Sequence, residues 1–143
     1  MKNTKIWYLN PWDALPNESG FDRSLSIIKK LSKNNFDVVW WSTNFSHAEK
    51  RFRKNIVLDF CELILLPGIS YKSNTGIKRL LSSVLFFSFF FQLKSIFKKK
   101  PKIIFLSGPI LFVSCYTFLL KIFFNVRVVS ELRDLWPEGS INQ

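Results

Sequence analysis

A chain of 143 residues has room for one domain with a core that needs neither metal nor disulfide staples. With 48% hydrophobic residues, including 16 Phe, 5 Trp and 3 Tyr, it falls outside the disordered class, and so many rings require a large core or apolar surface that meets lipid, partner or ligand. Its 21 Lys and Arg against 10 Asp and Glu leave +11, a field that attracts nucleic acid, an acidic leaflet or a phosphorylated substrate without choosing among them.

Cys61, Cys115 and the lone His47 are too few and too scattered for a structural zinc site, and they suit a reduced cytosolic setting. Residues 5–9 are strand formers stopped by Asn10-Pro11, an apolar run too short for a signal-peptide core. A polar loop over 12–20 follows, with Pro16, Asn17 and Gly20 as breakers. Asp22 can cap a helix that carries Leu25, Ile28 and Leu31 and ends near Asn34-Asn35. Residues 37–42 read as a second strand, apolar on both faces, which belongs in a covered parallel sheet.

Residues 44–55 form a basic loop with Lys50, Arg51, Arg53 and Lys54. Two short apolar runs, 56–58 and 63–66, are strand candidates: a hairpin arm, then the third sheet strand. A helix is predicted over 77–98, a strand over 102–107, a helix over 109–124 with Pro109 in its first turn, and a fifth strand over 126–132. The 18 residues 103–120 carry no charge and formally reach the length of a membrane span, and 80–93 is almost as apolar. A membrane hairpin turning at Lys98-Lys99-Lys100 is thus one alternative. Against it, Ser107-Gly108-Pro109 cuts the longer run just after a strand-like stretch. The alternation of elements predicts a single α/β domain over 1–143, a Rossmann-like open parallel sheet with helices on both faces and residues 6–9 at its centre.

In such a sheet, ligands sit beyond the carboxyl ends of the strands, which selects the loops 10–21, 107–109 and 133–138. No GxGxxG follows the first strand. Ser19 and Gly20, just before the helix, are the candidates there for acceptor contact, through backbone amides that could hold a phosphate. The densest motif is Ser130-Glu131-Leu132-Arg133-Asp134-Leu135-Trp136-Pro137-Glu138, where ionisable and aromatic residues crowd the end of an apolar strand.

That segment is similar to the Arg-Asp-Leu-Trp-Pro-Glu signature of bacterial family 4 glycosyltransferases that build surface polysaccharides. Residues 6–11, the run Trp40-Trp41-Ser42-Thr43-Asn44-Phe45-Ser46-His47, and Pro67-Gly68 with Tyr71 and Asn74 resemble earlier parts of the same enzymes in order. The resemblance implies a GT-B architecture, in which an N-terminal domain binds the acceptor and a C-terminal one grips a nucleotide sugar as co-substrate. It further implies retention of anomeric configuration, no bound metal or other cofactor, and a lipid-linked saccharide acceptor in O-antigen, capsule or related synthesis. The expected setting is the inner face of the cytoplasmic membrane, held peripherally against anionic lipid, with no nucleic-acid partner.

By position in that signature, Asp134 would orient or deprotonate the acceptor hydroxyl, Arg133 would contact phosphate, and Glu131 would support Arg133. The alternative for Asp134 is a loop-ordering role, pairing Arg133 or capping the next helix. The sequence reaches Gln143 a few residues past the signature, so the donor-binding domain is expected to be missing and the chain inactive alone, either as a truncated product or as half of a split enzyme. The remaining alternatives are an accessory fragment partnering a separate donor domain and a small membrane protein with no enzymatic role.

Overall fold

The computed structural model describes residues 4–72, 77–92, 100–108 and 110–133. Among these residues five strands and three helices follow one another: β1 (Lys5–Leu9), α1 (Arg23–Lys33), β2 (Asp37–Thr43), β3 (Glu62–Leu66), α2 (Ile77–Gln92), β4 (Ile103–Gly108), α3 (Ile110–Phe124) and β5 (Arg127–Leu132). The strands form one sheet in the order β3-β2-β1-β4-β5, and every pairing is parallel. β1 is central, with Ile6 opposite Val38 on one side and Ile103 on the other.

Side chains alternate across this sheet and so build two cores. Trp7, Leu9, Val39, Trp41, Ile104 and Leu106 face α2 and α3, where Phe86, Phe87, Phe90 and Leu120 close over them. Trp7, Trp41 and Phe90 meet edge to face with ring centroids 5.0–5.8 Å apart, a geometry worth about 0.5–1.5 kcal/mol per pair beyond area burial. On the opposite face Tyr8, Val38 and Trp40 pack under Ile28 of α1. Helices therefore cover both faces, and the two-sided apolar pattern of β1 and β2 follows from that.

Two expectations need correction. Residues 56–58 are not a strand, although Ile56 and Leu58 are half-buried and Val57 is almost wholly exposed. Their period-two pattern is real, but they pack against the α1-side core where no neighbouring strand offers a hydrogen-bond ladder. The uncharged run 103–120 is likewise not one segment. It divides into β4 and α3, and among the described residues no helix is long and apolar enough to cross a membrane. Residues 93–99, where the helix starting at Ile77 was expected to continue, lie outside the described residues, as do Asn74 and Pro109.

Candidate functional site

The strand order reverses between β1 and β4, so the crevice beyond their carboxyl ends is the topological switch point of the sheet. Asn10 sits there, fully buried at the end of β1. Its Oδ1 accepts from the amides of Trp12 (2.9 Å) and Asp13 (3.2 Å), an Asx turn that folds the chain back on itself. Its Nδ2 donates to Ser24 Oγ at 3.1 Å and, across the switch point, to Ser107 Oγ at 3.4 Å.

The turn aims Asp13 at the start of α1. The carboxylate accepts from the Ser24 amide (3.0 Å) and hydroxyl (2.6 Å), and it receives the Arg133 guanidinium as a two-pronged partner, Nη1 on Oδ1 and Nη2 on Oδ2, the latter at 2.9 Å. Asp13 is 4% exposed and Arg133 17%, so the pair is largely removed from water. Burial works against the Arg133 cation, but the hydrogen bond and charge of Asp13 outweigh it, and the guanidinium pKa is raised. Glu131 completes the lattice. Its Oε2 accepts from Ser107 Oγ at 2.6 Å and lies 3.5 Å from Arg133 Nε, while its Oε1 meets the exposed Arg23 at 2.5 Å. The Tyr8 hydroxyl, 3.1 Å from Ser24 Oγ, forms the floor; burial, opposed by hydrogen bonds to Ser24 and Ser107, raises its pKa. Two carboxylates and two guanidiniums thus balance within one network that ties β1, α1, β4 and β5 together.

A second buried ion pair stands beside the first. Arg53, with 1% of its side chain exposed, spends all five N–H groups. Nε and Nη2 fork onto Glu18 at 2.9 Å each, Nη1 reaches Ser42 Oγ and the Thr43 carbonyl, and Nη2 also reaches the Asp13 carbonyl at 2.6 Å. Glu18 in turn accepts from the Leu15 amide at 3.0 Å. This fork fastens the loop after β1 to the loop after β2.

The candidates read from sequence separate into three groups. Arg133 and Glu131 lie in the lattice at the switch point. Ser19 and Gly20 lie apart from it: the Ser19 amide and hydroxyl face Glu49 at 3.2 and 3.5 Å, and Gly20 adopts φ +124, with Ala48 Cβ only 2.9 Å from where its own Cβ would stand. Only glycine fits there. The Ser19 amide is the main cause of the lowered pKa of Glu49. Asp134, with Trp136, Pro137 and Glu138, lies outside the described residues.

Asp22 occupies the N-cap position of α1 as expected but makes no side-chain capping bond. The anion at that helix end is Asp13, which takes the Ser24 amide. A phosphate reaching α1 would have to compete with that carboxylate. A phosphate on Arg133 would share the guanidinium with Asp13, which already takes one N–H from each of Nη1 and Nη2.

Asn10, Asp13, Ser24, Glu18 and Arg53 were not singled out by sequence, since each acquires its meaning from partners 11 to 120 residues away. His47 is half-buried, with Nδ1 2.8 Å from the Tyr71 hydroxyl, and does not stand on an open surface. Cys61 packs into the α1-side core, and burial, with the charge of Asp59, pushes its thiol up to about 12, too high for a nucleophile. Among the described residues no group of three or more His, Cys, Asp and Glu could hold a metal ion.

Neither a scan against protein-family models nor a search of curated proteins finds a match to this chain. Function is therefore argued from the site. The lattice is charge-balanced and both Asp13 oxygens accept hydrogen bonds, an arrangement suited to holding geometry.

Proposed function

We propose that this chain is the acceptor-side part of a retaining sugar transferase of the two-domain GT-B kind, completed by a donor-binding domain carried elsewhere in the protein or on a separate chain. In this reading a nucleotide sugar is the co-substrate held by that other domain, no metal is required, and the acceptor is a lipid-linked saccharide at the inner face of the cytoplasmic membrane. One observation supports it above the rest. The buried network at the switch point anchors Arg133, the first residue of the segment whose sequence resembles the family signature. Asp134 follows directly, and its proposed role is to orient or deprotonate the acceptor hydroxyl. Arg133 and Glu131 hold the end of β5 just before it in sequence, and Arg133 is the cation proposed to contact a substrate phosphate.

The test is ligand binding by the chain itself. A pool of polyprenyl-diphosphate-linked saccharides in detergent is expected to raise the melting temperature saturably. UDP- and GDP-sugars should bind no tighter than about 1 mM in calorimetry. Clear saturable binding of a sugar nucleotide, or no response to the lipid-linked pool, would contradict the assignment of this chain to the acceptor side.

A further inference from the structure

The Arg53–Glu18 fork also forms part of a cavity of about 190 Å³ between the loop after β1 and the loop after β2. Clefts that take a drug-sized ligand run to roughly 300–1,000 Å³, so this one has room for a single small ring. Its apolar lining is aliphatic: buried Leu15 with half-buried Pro16 and Ile56. Its charged lining is three cations, Arg51, Arg53 and Lys54, against one acid, Glu18. Glu18 has nothing left for a ligand. Both its oxygens accept from Arg53, and Oε2 accepts also from the Leu15 amide and, at 3.3 Å, the Ser46 hydroxyl. Arg53 is equally committed, so a ligand meets a positive rim made by Arg51 and Lys54.

Arg51 is held in place although it is 59% exposed. Its Nε and Nη2 lie 2.8 and 2.7 Å from Glu49 Oε2, and its Nη1 is uncommitted among the described residues. Glu49 is itself pinned: Oε1 faces the Ser19 amide and hydroxyl, and its own amide donates to Ser46 Oγ at 3.2 Å. A guanidinium gripped along one edge keeps the other edge, a pair of parallel N–H groups, for a carboxylate or phosphate. Lys54 is exposed and forms no ion pair among the described residues. Aliphatic side chains suit the C–H face of a sugar ring, and the amide of the exposed Asn17, also in the lining, can both donate to and accept from hydroxyls. A bare inorganic anion has no use for the apolar lining, and a neutral sugar has none for the cations.

We infer that this cavity binds one anionic sugar unit, its carboxylate or phosphate on Arg51 and Lys54 and its ring over Leu15, Pro16 and Ile56. Ser19 then serves as a positioning residue, acting through Glu49 on Arg51. The inference places a charged sugar in the acceptor, and it rests on the acceptor-side reading for that setting alone. Free monosaccharides need neither lipid nor donor domain, so either idea can fail while the other stands.

The experiment is titration of the full chain, by calorimetry and NMR at constant ionic strength, with methyl glucuronide, glucose 6-phosphate, methyl glucoside and inorganic phosphate. Saturable millimolar binding is expected for one or both anionic sugars, and their ranking tells carboxylate from phosphate as the preferred anion. Methyl glucoside, which lacks the charge, and inorganic phosphate, which lacks the ring, should each bind about tenfold or more weakly. The double variant R51M/K54M should abolish the preference for charged over neutral sugar, and Arg51→Lys should keep only part of it. Because a variant could lose structure, a second readout uses the native sequence. The Arg51 Nε–H resonance should shift on adding the anionic sugar and stay unchanged with methyl glucoside.

Three results would overturn the inference. These are no saturable binding of either anionic sugar, binding of methyl glucoside or inorganic phosphate as tight as theirs, or unchanged binding by a folded R51M/K54M.

Discussion

Replacing Arg53 by alanine is expected to lower the unfolding free energy by about 3–5 kcal/mol, the range for breaking a buried ion pair by removing one partner. The guanidinium is the hub of the two loops at the top of the sheet, and its loss leaves Glu18, at 10% exposure, with its charge uncompensated. The Thr43 and Asp13 carbonyls and Ser42 Oγ lose donors at the same time. Lysine cannot make a planar fork and should recover only part of the loss. The comparison is Arg51→Ala, which removes an ion pair to Glu49 with Arg51 59% exposed. It should cost no more than about 1 kcal/mol. Urea unfolding of the three variants checks this, and a loss below about 1 kcal/mol for Arg53→Ala would show that the fork is incidental.

The second large effect is expected at Asp13. Asp13→Asn keeps the shape of the side chain but removes its charge, and it turns a donor toward Arg133 or toward Ser24. Arg133 would then keep only the longer contact to Glu131 as an ionic partner, and α1 would lose the anion at its first turn. A cost of about 2–4 kcal/mol is expected, from an unpaired half-buried guanidinium and the lost cap. Arg133→Met alone leaves Asp13 buried with only Ser24 as a side-chain donor and should be similarly costly, while the double variant Asp13→Asn, Arg133→Met should be less destabilised than the two single losses summed. A double-mutant cycle by thermal and urea unfolding measures that coupling. Strict additivity would mean that the two residues do not act as a pair.

How much of this was legible in the sequence depends on the range of the interaction. Strand and helix identities were readable because their signals are local: β-branched and aromatic runs, a three-residue rhythm of Leu25, Ile28 and Leu31, and breakers at Asn10-Pro11 and Pro67-Gly68. The two-sided apolar pattern of Trp40 and Trp41 even fixed the parallel, covered character of the sheet. Residues 56–58 misled because a short apolar run reads the same in sequence whether or not a strand runs beside it. At the end of β5, Arg133 and Glu131 were conspicuous as charges where an apolar strand stops.

Asp13 was not conspicuous, because an acid in a polar loop is ordinary until the fold brings Arg133 to it across 120 residues. Arg53 was hidden among Lys50, Arg51 and Lys54, and nothing local distinguishes the one that is buried. The local capping rule pointed to the correct helix end but to Asp22, whereas the carboxylate that serves it arrives from nine residues earlier in the chain. Buried polar networks of this kind are specified by tertiary geometry, so sequence reading finds their charged ends and misses their centres.

The central claim, that the strand-end site serves sugar transfer, is tested most directly by the turnover of a protein in which this chain is joined to a donor domain. Labelled sugar incorporated into lipid-linked saccharide is measured for the parent and for Asp134→Asn, with the melting temperature taken on the same samples. The account predicts that turnover falls about a hundredfold or more, the usual worth of a general base or charge-orienting carboxylate, while the melting temperature is retained. An Asp134→Asn protein that melts lower but turns over normally per folded molecule would contradict it, and would leave Asp134 with a loop-ordering role worth about 1 kcal/mol.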